Sequence, residues 1–302
     1  MKNDPEMCNQ QGRIPSWLRK KKTLKELRAL KIRLRQACLS TVCEEARCPN
    51  ITECFKSPTA TFMILGDICT RNCAFCSVRK GIPFEPDENE PEKVARAACE
   101  MGLDHVVVTS VTRDDLTDQG ASAFAKTISK IKGFLPCASV EVLTPDFSGN
   151  ESSAKIVFDQ KPDVFNHNVE TVERLYGSVR PGARLVTSLS LLKMAREYDD
   201  SLVVKSGFMV GLGESEDEIQ DLIVSLNQAG CDIITIGQYM QPTKKQVPVT
   251  KYWHPQQFEV WSELAKNIGI RYVVSGPLIR SSYRAKEALE RVREIQGRIE
   301  NE

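Results

Sequence analysis

From residue 59 onward, short runs of β-forming residues alternate with segments of helical character. The runs are rich in Val, Ile and Phe and lack a strict alternation of polar and apolar residues, which is typical of parallel strands buried on both faces. Seven such runs occur, at residues 61–65, 105–110, 139–143, 163–168, 202–210, 232–239 and 271–275. Repeated βα units predict an α/β fold with a parallel sheet, either an open doubly wound sheet or a full or partial barrel.

The segments between the runs carry signals of their own. Residues 92–101 and 215–228 are predicted to be helices, and the second begins with a capping box, in which Ser215 is followed three residues later by Glu218. Residues 85–92 are acidic and bounded by prolines, which indicates a surface loop. The chain therefore divides into units of one strand and one helix.

Length and composition limit the number of domains. The 302 residues, 41% of them hydrophobic, are enough for a sizeable core. Barrels reach about 250 residues as single domains, so we expect one catalytic domain with short extensions. No apolar stretch approaches the roughly 20 residues of a membrane span. Residues 1–11 lack the apolar run of a secretory signal, and Asp4 and Glu6 argue against a transit peptide. We therefore expect a soluble, cytoplasmic protein without a membrane partner.

The charge of the chain is unevenly distributed. Residues 17–36 hold nine Lys or Arg residues and one acidic residue, Glu26. Apolar residues at positions 24, 27, 32 and 34 form an imperfect face, so this segment is predicted to be a basic amphipathic helix. Three interpretations remain open: a solvated helix packed on the main domain, a docking site for an acidic protein partner, or a contact with nucleic acid.

Eleven cysteines are many for a chain of this length, and an odd number cannot all pair within one chain. In a reducing cytoplasm the thiols would stay reduced in any case. Five of the cysteines are scattered and are expected to behave as small buried hydrophobic residues. The other six form two tight triplets: Cys43, Cys48 and Cys54, followed by Cys69, Cys73 and Cys76.

The second triplet has the spacing C-x3-C-x2-C and directly follows the first predicted strand. Three thiolates this close in sequence can hold one metal centre, but four ligands are needed to saturate a cubane cluster. A missing fourth ligand leaves one iron open to a substrate or cofactor, as the open position does in catalytic zinc sites. Catalytic groups of βα barrels lie on the loops after the strand C-termini, and this triplet occupies such a loop.

Cys69, Cys73 and Cys76, with Phe75 before the last cysteine, resemble the cluster loop of radical S-adenosylmethionine (SAM) enzymes. The resemblance implies a [4Fe-4S] cluster whose open iron chelates the amino and carboxylate groups of SAM. Reductive cleavage of the sulfonium then gives a 5′-deoxyadenosyl radical, which abstracts hydrogen from strong C–H bonds, while the protein positions the cofactors. A structural zinc site is the alternative, although such sites usually supply four ligands in two paired spacings.

The first triplet, Cys43-x4-Cys48-x5-Cys54, ends fifteen positions before Cys69. Together with Met-Ile-Leu-Gly-Asp at residues 63–67, the two triplets resemble the lipoyl synthase family. Further segments extend the resemblance along nearly the whole chain, at residues 109–116, 165–171, 180–182, 205–214 and 276–283. In that family the first triplet binds an auxiliary [4Fe-4S] cluster that is sacrificed as the sulfur donor.

The resemblance also implies how the chain is organised. Residues 1–58 are expected to form an N-terminal extension with the basic helix and the auxiliary-cluster cysteines. Residues 59–283 are expected to form a full or partial parallel (β/α) barrel of the radical SAM type. Residues 284–302 then form a C-terminal helical tail.

Polar side chains near the ends of predicted strands are the candidates for binding SAM. Six such residues follow the second and fourth predicted strands: Thr109, Ser110, Arg113, Asn168, Glu170 and Arg180. The Asn168 amide and the Glu170 carboxylate can hold a ribose hydroxyl. The Arg180 guanidinium can donate several hydrogen bonds to the methionine carboxylate of SAM. The first three can orient either the nucleoside or the substrate. A polar loop residue or a helix cap is the alternative for each.

Two incomplete triplets leave two open irons, and SAM occupies only one. Arg-Ser-Ser-Tyr at residues 280–283 follows the last strand, where the chain can return to the cluster held by the extension. By resemblance to the family, the Ser282 hydroxyl ligates the fourth iron of the auxiliary cluster, and Ser281 is the second candidate. A serine that caps the C-terminal helix is the alternative. Oxygen is a harder ligand than thiolate, so this bond is expected to be weak and to open the cluster during sulfur insertion.

The activity implied by the resemblance is sulfur insertion at C6 and C8 of an octanoyl group in amide linkage to a lysine of a carrier protein. Two SAM molecules are consumed for each lipoyl group. The implied carriers are the lipoyl domains of 2-oxo acid dehydrogenases and the glycine cleavage H protein. An electron donor and proteins of iron–sulfur cluster assembly or repair are further implied partners, and nucleic acid is not one.

Two other kinds of function remain open. A biotin synthase or a methylthiotransferase also inserts sulfur by radical chemistry, but either would place the ligands of the second cluster elsewhere. A methylthiotransferase usually adds a nucleic-acid-binding domain as well, and none is visible in this sequence. From a different class, a non-catalytic zinc module could use the basic segment to bind nucleic acid. Bound iron and sulfide would separate the enzymes from the zinc module.

Overall fold

The structure is a computed structural model that describes residues 15–18, 39–41, 50 and 59–299. Cys43, Cys48 and Cys54 lie outside the described residues, as does the predicted basic helix apart from Trp17 and Leu18. In the described part of the chain, no helix combines the length and the apolar composition that a bilayer crossing requires.

Ten strands occur in the described residues. They are β1 (Ser40–Thr41), β2 (Thr59–Ile64), β3 (Ile68–Cys69), β4 (Arg79–Lys80), β5 (His105–Ser110), β6 (Ser139–Leu143), β7 (Val164–Asn166), β8 (Val203–Val210), β9 (Ile233–Gln238) and β10 (Tyr272–Gly276). Eight of them form one sheet in the order β1-β2-β5-β6-β7-β8-β9-β10, while β3 and β4 pair separately. β1 is antiparallel to β2, and the other strands of this sheet, β2 and β5 to β10, are seven parallel strands.

Eight α-helices connect and follow these strands in the described chain. They are α1 (Glu90–Glu100), α2 (Ala121–Phe134), α3 (Glu151–Phe158), α4 (Tyr176–Val179), α5 (Leu185–Tyr198), α6 (Glu216–Gln228), α7 (Pro255–Asn267) and α8 (Ala285–Ile299). At least one helix precedes each parallel strand after β2. Parallel neighbours require such a crossover, because the chain must return to the other end of the sheet before the next strand begins.

The predicted α/β class is confirmed: the seven parallel strands and their helices form a partial barrel. Each of the seven predicted runs is a strand, with ends shifted by at most two residues. The capping box of Ser215 and Glu218 is present at the start of α6. The predicted surface loop at 85–92 is wrong at its C-terminal end, because α1 already begins at Glu90. Pro91 stands in the first turn of α1, where its missing N–H costs no hydrogen bond.

The parallel strands are buried on both faces. Val106, Val107 and Val108 follow one another in β5, so they point to alternate faces, and all three are fully buried. One face packs on helices, and the other lines the interior of the barrel. The interior is not wholly apolar, since Glu141 of β6 and Lys205 of β8 are also buried within it.

The C-terminal helix α8 packs against the N-terminal ends of the strands. Its Leu289 and Val292 are buried in a cluster with Val164, Val203 and Ile233, which lie at the starts of β7, β8 and β9. Because the catalytic edge of a parallel barrel is the opposite one, α8 stabilises the fold from the side that carries no chemistry.

Candidate functional site

The loop between β2 and α1 carries the cysteines of the second triplet. Cys69 ends β3, and the backbone around Cys73 is held from three directions. The Ala74 amide donates to the Val179 carbonyl at 2.8 Å, and the Ala74 carbonyl accepts from the Val247 amide at 3.0 Å. The ammonium group of Lys80 donates to the Cys73 carbonyl at 3.0 Å. The loop is therefore fixed to the segments that follow β7 and β9, at the C-terminal edge of the sheet.

Arg71, between the first two cysteines of this loop, acts as a clamp that sequence reasoning missed. Its guanidinium donates to both carboxylate oxygens of Asp114, at 2.9 and 2.8 Å, and to Asp146 at 2.8 Å. Burial alone would lower the pKa of Arg71, but the two carboxylates outweigh it and raise the pKa. The clamp ties the cysteine loop to the segments after β5 and β6, because Asp114 and Asp146 follow those strands.

The three thiols lie in a partly buried environment. Burial raises the pKa of Cys73 to about 11 and also raises the pKa of Cys76, and the neighbouring cysteines add to both shifts. Bound iron supplies the positive charge that such thiolates need. In the described residues, no three ligating side chains converge on a single ion. A cubane cluster spreads its ligands over separate irons, so this donor set fits a cluster held by Cys69, Cys73 and Cys76.

Three of the residues predicted to bind SAM are brought together beside this loop. The Arg180 guanidinium donates through Nη1 to the Asn168 carbonyl at 3.0 Å. Burial raises the pKa of Glu170, while Arg180 and the Asn168 side chain oppose the shift. Glu170 also has a left-handed backbone with φ of 67°, which is uncommon for a residue with a side chain. The backbone bond from Ala74 to Val179 joins the neighbours of Cys73 and Arg180, so this group lies next to the thiols.

Arg180 is itself held in place by a buried chain of hydrogen bonds. Its Nη1 donates to the Ser188 hydroxyl at 3.1 Å, and Ser188 lies 2.9 Å from Nε2 of His167. Nδ1 of His167 lies 2.8 Å from the Thr144 carbonyl, so this nitrogen carries the proton. Burial lowers the pKa of His167 to about 4, with a further contribution from Arg180. His167 is therefore a structural hydrogen-bonding residue that supports Arg180 through Ser188.

The other three predicted residues lie at the end of β5 and just beyond it. The Thr109 hydroxyl donates to the Leu143 carbonyl at 2.8 Å, and Arg113 is paired with Asp115 at 2.8 Å. Two buried atoms, the Ser110 hydroxyl oxygen and Nη1 of Arg113, find no hydrogen-bond partner in the described residues. Because buried polar atoms are normally paired, these two fit a site that receives a polar ligand.

The segment that carries Ser281 and Ser282 folds back over the end of β9. A Cβ atom on Gly237 would lie 2.3 Å from the Ile279 carbonyl oxygen, so only glycine permits this approach. The Ser281 hydroxyl is hydrogen-bonded to side chains of the barrel interior. The Ser282 hydroxyl has no hydrogen bond to any described residue and does not cap α8. The Asn50 amide donates to the Leu278 carbonyl at 2.5 Å, which ties the N-terminal extension to this segment.

A buried ionic pair in the barrel interior was also missed by sequence reasoning. Lys205 donates to both oxygens of Glu141, at 2.9 and 3.1 Å, and Asn166 donates to the same carboxylate at 2.9 Å. Burial would raise the pKa of Glu141, but Lys205 and His105 outweigh it and hold the pKa at about 2. The sequence did carry a signal for this pair, because Glu141 and Lys205 are charged residues inside predicted strands that are otherwise largely apolar.

Comparisons with known proteins agree with this arrangement. Residues 63–226 match the family model of the radical SAM superfamily. The chain is 52% identical over 281 residues to a lipoyl synthase of Caldanaerobacter subterraneus subsp. tengcongensis, covering 93% of this chain and 99% of that protein. A lipoyl synthase of Caldicellulosiruptor saccharolyticus is 51% identical over 278 residues, which are 92% of this chain and 98% of that one.

A solved structure supports the fold independently of close sequence similarity. Coproporphyrinogen III oxidase from Escherichia coli, described as a radical SAM enzyme, superposes with a TM-score of 0.52 at 12% identity. The match covers 70% of this chain and 53% of that chain. From the family model and the long, half-identical alignments, we conclude that the chain belongs to the lipoyl synthase family of the radical SAM superfamily.

Proposed function

We propose that this chain inserts sulfur at C6 and C8 of an octanoyl group bound to a lysine of a carrier protein, and so completes the lipoyl cofactor. The observation that carries the proposal is the clamped cysteine loop beside Glu170 and Arg180, in a chain 52% identical to a lipoyl synthase over nearly its full length. The carriers are proposed to be the lipoyl domains of 2-oxo acid dehydrogenases and the glycine cleavage H protein.

Cys69, Cys73 and Cys76 are the proposed ligands of a [4Fe-4S] cluster, which with SAM supplies a radical that abstracts hydrogen from the octanoyl chain. Arg180 is proposed to bind the SAM carboxylate. Support comes from its fixed position, since Ser188 and the Asn168 carbonyl hold its Nη1 before any ligand binds.

Five further residues complete the proposed contacts. Asn168 and Glu170 are proposed to hold the ribose hydroxyls of SAM, next to Arg180. Thr109, Ser110 and Arg113 are proposed to orient the nucleoside or the substrate. Support comes from the unpartnered buried atoms of Ser110 and Arg113, which a polar ligand would satisfy.

The auxiliary cluster is the second part of the proposal. Cys43, Cys48 and Cys54 are its proposed thiolate ligands, and Ser282 is its proposed oxygen ligand. Support comes from Asn50, which lies between the second and third of these cysteines in the sequence and is bonded to the segment of Ser282. The Ser282 hydroxyl bonds to none of the described residues, whereas the Ser281 hydroxyl makes two hydrogen bonds, so Ser282 is the better candidate.

The partners follow from the same chemistry. An electron donor must reduce the cluster at Cys69, Cys73 and Cys76, and assembly or repair proteins must rebuild a cluster that gives up its sulfur. The six described free cysteines suit a reducing compartment, and a cytoplasmic location is part of the proposal. The basic segment at 17–36 is proposed to dock an acidic carrier domain rather than a membrane or nucleic acid.

The proposal is tested by anaerobic incubation of the reconstituted protein with reductant, SAM and an octanoyl-lysyl peptide. Mass spectrometry should show the gain of two sulfur atoms as a dithiol, and later oxidation of that dithiol to the cyclic disulfide should remove two hydrogens. Cys73→Ala should abolish the product, because it removes a cluster ligand. Cys137→Ala should leave the yield unchanged, because Cys137 is a free cysteine away from the loop that, contrary to the expectation of burial, is exposed.

Two outcomes would contradict the proposal. Colourless protein that binds zinc and no iron would favour the structural zinc module. Iron-rich protein that cleaves SAM but leaves the octanoyl peptide unmodified would favour another sulfur-inserting enzyme, and conversion of dethiobiotin would identify it as biotin synthase-like.

A further inference from the structure

The Ser281 hydroxyl lies between two asparagine side chains of the barrel interior. It accepts a hydrogen bond from Nδ2 of Asn166 at 2.8 Å and donates one to Oδ1 of Asn168 at 3.0 Å. These residues are separated from Ser281 by 115 and 113 positions in the sequence. A hydroxyl has one hydrogen to donate, so this one is committed to Asn168. These two bonds fix the position of the Ser281 side chain and the direction in which its hydroxyl donates.

The direction of these bonds is set deeper in the barrel. Nδ2 of Asn166 also donates to Oε1 of Glu141 at 2.9 Å, and Glu141 is paired with Lys205. An ionised carboxylate only accepts hydrogen bonds, so Asn166 must turn its NH2 group toward Glu141. The second hydrogen of that group then points to Ser281. Asn166 therefore donates in two directions, inward to Glu141 and outward to Ser281, and Ser281 donates onward to Asn168.

The two ends of this chain belong to different halves of the proposed site. Asn168 lies beside Glu170 and Arg180, the group proposed to bind SAM. Ser281 is covalently joined to Ser282, the proposed ligand of the auxiliary cluster. The Ser281 hydroxyl forms a direct side-chain connection between the end of β7 and this C-terminal segment.

We infer that Ser281 is a positioning residue that aims the Ser282 hydroxyl at the auxiliary cluster and sets its place relative to the SAM half of the site. The inference rests on the proposed role of Ser282. With the Ser281 hydroxyl anchored to Asn166 and Asn168, the next residue in the chain is held in one direction. Without that anchor, the turn keeps the backbone bond from the Tyr283 amide to the Arg280 carbonyl at 2.9 Å, but it is no longer tied to the barrel interior, and Ser282 loses its alignment with the fourth iron.

The experiment isolates the auxiliary cluster in the full-length chain. In a parent protein with Cys69, Cys73 and Cys76 replaced by Ala, the remaining cluster signal comes from the auxiliary site alone. The protein is reconstituted anaerobically and oxidised briefly, and electron paramagnetic resonance measures the fraction converted to a three-iron form. A cluster whose fourth iron has lost its protein ligand gives up that iron more readily, so this fraction reports ligation and not turnover.

Four variants of this parent are compared. Ser282→Ala removes the proposed ligand and should raise the three-iron fraction several-fold. Ser281→Ala should raise it toward the same level, while Ser281→Thr keeps the hydroxyl and should stay near the parent. Ser275→Ala is the matched control, because its hydroxyl bond of 2.8 Å goes outward to the Phe258 carbonyl of α7. Thermal midpoints of all four show whether any change merely follows loss of stability.

The outcomes separate this inference from the proposed function. If Ser282→Ala raises the three-iron fraction and Ser281→Ala does not, Ser282 remains the ligand and the positioning role of Ser281 is wrong. An equal rise in Ser281→Thr would also overturn it, because the hydroxyl would then not be the cause. If Ser282→Ala leaves the fraction at the parent level, the assignment of Ser282 fails, and the inference fails with it.

Discussion

The side-chain amide of Asn50 donates a hydrogen bond to the carbonyl oxygen of Leu278, joining two points that are 228 positions apart in the sequence. Asn50 is 1% exposed, and it stands between Cys48 and Cys54. Leu278 belongs to the segment that carries Ser282. The bond therefore connects the two parts of the chain from which the proposed auxiliary ligands come.

Asn50→Ala should weaken this connection. The half-buried Leu278 carbonyl would lose a partner, and because a fully buried group left unsatisfied costs about 1–3 kcal/mol, we expect a cost at the low end of that range. We expect less auxiliary-cluster iron after reconstitution, with the iron held by Cys69, Cys73 and Cys76 unchanged. Asn227→Ala is the control, because its amide makes the same kind of bond to the Ile268 carbonyl at 2.8 Å, away from the site. Equal iron losses in the two variants would contradict a local role for Asn50.

The two cysteine triplets should hold separable clusters. Anaerobically reconstituted protein should contain about eight irons per chain, four in each cluster. Replacing Cys69, Cys73 and Cys76 by Ala should leave about half the iron and abolish SAM cleavage. Replacing the first triplet should also halve the iron, yet SAM cleavage should remain detectable. Complete loss of cleavage in the second variant, with its remaining cluster intact, would show that this division of labour is wrong.

The sequence predicts the parallel strands and the position of the cysteine loop because both depend on local patterns. A run such as residues 105–110 is apolar enough to be recognised by itself, and C-x3-C-x2-C is a local spacing. The clamp of Arg71 on Asp114 and Asp146 is different. It joins residues 43 and 75 positions apart, and each of them alone is an ordinary charged loop residue.

The same limit applies to the choice between Ser281 and Ser282. Adjacent serines have the same chemistry, so spacing alone cannot decide which one faces the barrel interior. The choice depends on Asn166 and Asn168, which both bond to the Ser281 hydroxyl, while the Ser282 hydroxyl bonds to no residue in the described part of the chain. Likewise, the packing of α8 against the strand starts depends on where distant strands end, although its amphipathic pattern is visible in the sequence.

Leu289→Ala should destabilise the fold without touching the chemistry. Leu289 is 1% exposed and packs among the strand starts. Truncation of a buried leucine costs about 2–5 kcal/mol, because it removes apolar contacts and leaves a cavity. Val260→Ala on α7 is the control, since Val260 is 57% exposed and should change the free energy of unfolding by less than about 0.5 kcal/mol. Urea unfolding measures both, and similar values would argue against a structural role for α8.

Charge reversal in the basic segment should affect large substrates only. Exposed charges mainly change the rate of encounter and are screened beyond roughly 10 Å at about 0.1 M salt. Arg19, Lys20, Lys21 and Lys22 replaced by Glu should slow the modification of a whole octanoylated domain. A short octanoyl peptide should be modified nearly as fast as before. Equal losses on both substrates would indicate that the segment serves stability and not recognition.

His167 should make the stability of the fold depend on pH. Its pKa is lowered from 6.5 to about 4 in the folded chain, so the folded state keeps the ring neutral. The unfolded chain binds a proton below about pH 6.5, and this favours unfolding as the pH falls. The contribution of His167 to stability is therefore full above pH 6.5 and is lost progressively between about pH 6.5 and 4. The total loss is about 3 kcal/mol, since each pKa unit corresponds to about 1.4 kcal/mol.

His167→Gln removes this titration while keeping a side chain that can bond to the Thr144 carbonyl. The free energy of unfolding should fall by about 2 kcal/mol less in this variant than in the original chain between about pH 7 and pH 5. Urea unfolding at the two pH values measures the difference, and His254→Gln, which changes an exposed histidine, is the control. Parallel stability profiles for His167→Gln and the original chain would show that the ring titrates as it does in water. The chain from His167 through Ser188 would then not hold Arg180 as a neutral, buried support.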